Sequence, residues 1–120
     1  MAIPLFDAHC DTLSRLLAEP EQHLLGNGGQ WDLGRTGGLA PQAQIFAAFA
    51  DSALPGAVEQ AARQIALFHR ECCLFSDRIA PCTNGRQAAE AVRNGRVAAF
   101  LSVEGGELLN CSEAGLRQAH

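Results

Sequence analysis

The chain has 120 residues, close to half of them apolar, and a formal net charge of −4, which fits one domain. All nine basic residues are arginines scattered from Arg15 to Arg117, without the clustering that phosphate binding needs, so no nucleic-acid partner is expected. No apolar run approaches the roughly 18 residues of a bilayer span. Residues 1–7 lack the positive flank and apolar stretch of a signal peptide, so no membrane partner and a cytoplasmic location are expected.

Residues 3–11 read as a short strand, with Pro4 at its entrance where a missing N–H is tolerated. Asp11 or Thr12 then caps a short helix carrying Leu13, Leu16 and Leu17, which ends near Pro20. Residues 21–41 form a polar stretch with six glycines, a length that in a compact domain points to function. Trp31 and Leu33 are its anchors. Residues 43–50 are an apolar run without alternation, as in a strand buried on both faces of a parallel sheet.

Pro55 suits a first helical turn. Val58, Ala61, Ala62, Ile65, Phe68, His69 and Cys72 follow at helical spacing. A break covers residues 77–84, including Pro81. A second helix over residues 87–93 turns Ala88, Ala89 and Val92 inward and stops at Asn94-Gly95. Residues 96–104 form a third strand running into Gly105-Gly106, and Ser112 caps a last helix. The order of strands and helices is that of a parallel α/β sheet.

The five cysteines, Cys10, Cys72, Cys73, Cys82 and Cys111, show neither a C-x-x-C pair nor zinc-finger spacing. They read as reduced thiols packed as small hydrophobes.

The chemistry gathers at two places. In Asp7-Ala8-His9-Cys10-Asp11, alternation puts His9 and Asp11 on one face, about 7 Å apart along the strand, at the end where α/β barrels build their active sites. An imidazole and a carboxylate suit zinc, which accepts N and O donors. Cys10 points the other way, toward the helices. Asp7, on the face of His9, is either an acceptor that orients it or a hydrogen-bonding group in the barrel floor. Glu104 ends the third strand on the face of Ala98, Phe100 and Ser102, at the same rim. His23 in the glycine-rich stretch, His69 on the long helix and the terminal His120 read as structural. Glu107 reads as a solvated loop carboxylate.

These segments resemble the renal (membrane) dipeptidase family. Residues 6–13 (FDAHCDTL) are similar to its opening strand, Asp32-Leu33-Gly34-Arg35 followed by Gly37-Gly38 to its next segment, and Val103-Glu104-Gly105-Gly106 to its E-G-G. The resemblance implies an eight-stranded (β/α) barrel hydrolysing dipeptides at two zinc ions per intact site. His9 and Asp11 would bind one zinc, and Glu104, the catalytic carboxylate of the set, would bridge both. Zinc lowers the pKa of bound water toward about 7. A small dipeptide is the expected substrate.

Residues 1–120 are then a single, partial metal-dependent hydrolase barrel domain of about three βα units, since a full barrel of this type takes about 250 residues. The remaining zinc ligands would come from later strands. The expectation is therefore a fragment, poorly folded and inactive by itself. Two other readings are an inactive truncated remnant and another metal-dependent amidohydrolase-type barrel. The latter usually opens with H-x-H where Asp11 stands here.

Overall fold

The chain alternates strands and helices in the order β1 (Leu5–Cys10), α1 (Thr12–Ala18), α2 (Leu33–Thr36), β2 (Gln42–Ala48), α3 (Ala57–Leu74), β3 (Ile79–Pro81), α4 (Gly85–Arg93), β4 (Val97–Val103) and α5 (Glu113–Ala119). A 3-10 turn, Gly106–Leu109, links β4 to α5. The computed structural model describes residues 4–36, 42–109 and 112–119. Gly37, Gly38, Cys111 and His120, considered above from sequence, lie outside them.

The strands form one parallel sheet in the order β1-β2-β4-β3. The expectation of a parallel α/β sheet therefore holds, with one addition. Residues 79–81 pair with Val97–Ala99 of β4 inside the segment read as a break. Three residues ending in a proline carry little strand signal. Pro81 is accommodated because β3 is an edge strand.

The step from β2 to β3 passes over β4, and the step from β3 back to β4 reverses direction. Right-handed crossovers in opposite senses place their helices on opposite faces. The packing agrees: Phe68 and Cys72 of α3 join Cys10, Phe46, Ile79 and Ala99, whereas Ala91 of α4 joins Ala80 and Ala98. Ala98 and Ala99 are strand neighbours and point to opposite sides. Helix α4 thus covers the lower part of the face whose upper end carries Glu104.

The long helix is rotated from the face that apolar spacing indicates. Its buried positions are Ala57, Ala61, Gln64, Leu67, Phe68, Glu71 and Cys72, while Val58, Ala62 and His69 are exposed. The cause is two polar residues that serve backbone groups of neighbouring loops. The Gln64 side chain accepts from the Phe49 N–H at 3.0 Å and donates to its carbonyl at 2.6 Å. Glu71 accepts from the Leu24 N–H at 2.9 Å. A buried polar group is tolerated when so partnered, and hydropathy periodicity cannot register it.

Helix α4 begins two residues earlier than its apolar pattern indicates, because Asn84 caps it by accepting from the Gln87 N–H at 3.0 Å. Ala91 is its buried residue; Ala89, expected inward, is exposed.

Candidate metal centre

The end of β1 is shaped by a bulge. Asp7 pairs with Gln44 and Cys10 with Phe46, so three steps of β1 oppose two of β2, an irregularity rare in parallel pairs. The Asp7 carboxylate accepts from the His9 N–H at 3.1 Å and holds the turn. Asp7 lines the same cleft as His9 and Asp11, and its contact is with the backbone N–H of His9. Cys10 is 8% exposed and packs with Leu13, Leu16 and Phe46, as its placement toward the helices required. Burial pushes its thiol above the usual range against the lowering effect of Thr12.

Asp11 is the residue before α1, yet its side chain makes no capping bond. Its Oδ1 lies 3.2 Å from His9 Nε2. Glu104 follows β4, its N–H donating to the Ala48 carbonyl at 3.0 Å. Gly105 then turns the chain at φ +95°, in the region where a side chain is strained. A Cβ there would also meet the Glu107 carboxylate at 3.0 Å. Glu107 accepts from Ser52 Oγ at 3.1 Å, so it ties the turn to the loop after β2 as well as facing solvent.

The structure brings His9, Asp11 and Glu104 together: one donor atom from each lies within 4.8 Å of the others, and all three residues are exposed. A nitrogen and two carboxylate oxygens on the outlets of two strands suit zinc, which takes such donors at about 2.0–2.2 Å. The set fits one cation by donor chemistry.

The glycine-rich stretch is a packed excursion. Leu24, Trp31 and Leu33 are buried in the core with Phe46, so Leu24 joins the two expected anchors. Asp32-Leu33-Gly34-Arg35 is its clamp. Asp32 accepts from the Arg35 N–H at 2.8 Å and from Arg35 Nε at 2.7 Å, and Arg35 Nη2 reaches the Gly29 carbonyl at 2.7 Å. Burial pushes the Asp32 carboxyl up, but the bonds from Arg35 and Asn27 outweigh it and hold it below its ordinary value. The clamp sets the loop beside the site, where Asp7, His9, Asp11, Arg15, Gln30 and Trp31 help line a cleft of about 520 Å³.

His23 and His69 are elsewhere. His23 Nδ1 lies 3.0 Å from Glu71 Oε1, and His69, exposed, packs its ring on Phe68. Glu71, like Gln64, is a buried polar residue that apolar spacing did not mark. Cys72 and Cys82 are buried and Cys73 is exposed. Burial, with Glu71 and Cys82 beside it, pushes the Cys72 thiol up to about 12. Among the described residues, no helix is long and apolar enough to cross a membrane.

Parallel strands with N and O donors at their carboxyl ends define the class of metal-dependent α/β-barrel proteins. The sequence matches the membrane dipeptidase family, peptidase family M19, over residues 1–120, and the chain belongs to that family. Three solved structures share its fold. A metallopeptidase from Rhodobacter sphaeroides, liganded with a phosphinate mimic of the dipeptide L-Ala-D-Ala, is 22% identical with a TM-score of 0.77, over 99% of this chain and 43% of that one. The dipeptidase AC, a metallopeptidase of family M19, is 23% identical with a TM-score of 0.79, over 99% and 42%. The probable dipeptidase PvdM from Pseudomonas aeruginosa is 16% identical with a TM-score of 0.72, over 98% and 32%. The chain therefore spans less than half the length of each, and its four-stranded sheet corresponds to part of a barrel.

Proposed function

We propose that this chain carries the first part of a zinc-dependent dipeptidase site, with His9, Asp11 and Glu104 as metal donors. The observation that supports it is the convergence of Glu104 with His9 and Asp11, 95 and 93 residues before it, within 4.8 Å of one another in a member of a dipeptidase family. His9, Asp11 and Glu104 would hold the zinc, each offering one donor atom. When bound, zinc supplies Lewis acidity that polarises a peptide carbonyl and activates water.

The chain's own residues do the positioning. The Asp7-held bulge turns His9 outward while Cys10 anchors the strand in the core. Asp11 leaves its carboxylate free of capping and Gly105 releases the chain after Glu104. The substrate is a small dipeptide, by analogy with the mimic bound to the Rhodobacter sphaeroides protein. Titrating the chain with zinc under calorimetric detection tests the reading: saturable binding lost in His9→Ala and in Glu104→Gln is expected. Equal binding by the parent chain and both variants would overturn it.

A further inference from the structure

We propose that Arg15 is a specificity-determining residue, binding a carboxylate of the substrate in the cleft beside His9 and Asp11. This deepens the dipeptidase reading and rests on it. Arg15 lies on α1, one helical turn after Asp11, and lines the same cleft as His9, Asp11, Gln30 and Trp31. At about 520 Å³ the cleft is in the range of small-molecule sites. His9, Asp11 and Asp7 make its strand side imidazole and acid, and Arg15 is the cation of its lining.

The guanidinium is held in place through Nε, and among the described residues its Nη1–Nη2 edge carries no hydrogen bond. Arg15 Nε pairs with Glu19 Oε1 at 2.8 Å, which fixes the side chain along the helix. A guanidinium is a planar fork with five donors, so using Nε leaves the Nη1–Nη2 edge for a second carboxylate, the bidentate geometry arginine favours. The loop opposite makes room for it. A Cβ at Gly28 would stand 3.3 Å from Arg15 Nη2, and one at Gly29 3.5 Å from its Cγ. Glycines there let the loop backbone come up against the arginine side chain. Glu19 is a positioning residue in this arrangement, ordering Arg15 before the substrate arrives.

A dipeptide can offer a carboxylate from its C-terminus or from an acidic side chain, and three probes separate the sources. L-Ala-D-Ala has the terminal acid alone, its C-terminal amide has neither, and the amide of L-Glu-D-Ala has the side chain alone. Each is titrated by NMR into the full 120-residue chain loaded with zinc, with zinc stoichiometry measured independently. The expected result is that one acid-bearing probe binds tenfold or more tighter than the neutral amide. In Arg15→Gln that preference vanishes while binding of the neutral amide and of zinc is kept. Arg15→Lys, which keeps the charge but not the fork, should retain only part of the preference, and it decides the matter if Arg15→Gln fails to fold. Three probes binding alike to the parent chain, or a preference that survives in the variants, would overturn the role of Arg15 and leave the metal donors standing. A chain that takes up no zinc would overturn the dipeptidase reading and this inference with it.

Discussion

Two histidine–carboxylate pairs sit in this protein at nearly the same spacing and do different work. At the rim, His9 Nε2 and Asp11 Oδ1 are 3.2 Å apart, with both side chains more than half exposed. Beneath the glycine-rich stretch, His23 Nδ1 and Glu71 Oε1 are 3.0 Å apart, and the Glu71 side chain is 1% exposed. The buried carboxylate has its partners already, from the His23 ring and the Leu24 N–H. The rim pair has a third acid within reach and water around it. A paired ionic group that is already satisfied holds the fold, whereas a convergent set with donor capacity to spare can hold a ligand.

The contrast can be broken in order of expected effect. Changing Glu104 to Gln or His9 to Ala should lower zinc affinity on the order of 100-fold or more, since even partners outside the coordination shell cost roughly 10–100-fold. The metal-free melt of either variant should stay within about 0.5 kcal/mol of the parent, as for exposed substitutions generally. Calorimetry and thermal unfolding on the same samples check both. Glu71→Leu should do the reverse. It strips a buried N–H of its acceptor and should cost about 2–3 kcal/mol in urea unfolding, with zinc affinity of the folded chain unchanged. If Glu71→Leu weakened zinc binding and left stability intact, the assignment of the two pairs would be inverted.

Asp32→Asn probes the clamp. Its carboxyl is held below the ordinary value when folded, so its contribution is complete above the unfolded pKa of about 3.9. It is lost as pH falls through the lowered folded value. The variant should be about 1–2 kcal/mol less stable at neutral pH, and its deficit should shrink as the pH is taken from 5 toward 2, read by denaturant midpoints. The smallest effect is chemical. Among the four described cysteines, Cys73 should be alkylated first at pH 8 in the folded chain. Cys10, Cys72 and Cys82, buried and with raised thiol pKa values, should react only on unfolding, followed by peptide mass spectrometry.

Much of this was legible in the amino-acid order. The apolar run of β2, the strand ending at Glu104 and the outward face of His9 and Asp11 all follow from side-chain alternation and from glycines that stop elements. What escaped has a common physical origin. The bulge at Asp7, the rotated face of α3 through Gln64 and Glu71, and the clamp between Asp32 and Arg35 are made by polar side chains bonding distant or irregular backbone. Such bonds leave no periodic trace. The strand β3 escaped for a different reason, being three residues that owe their extension to the edge they lie against.

That edge has a further consequence. Val97 to Ala99 are already zipped to β3, so among the described residues the outward side of β4 stays open only from Phe100 to Val103. An additional strand joining the sheet there would have a single berth, four residues long, directly beneath Glu104. Whatever polypeptide came alongside would therefore deliver its own outlet, and any donors it carried, to the rim where His9, Asp11 and Glu104 meet.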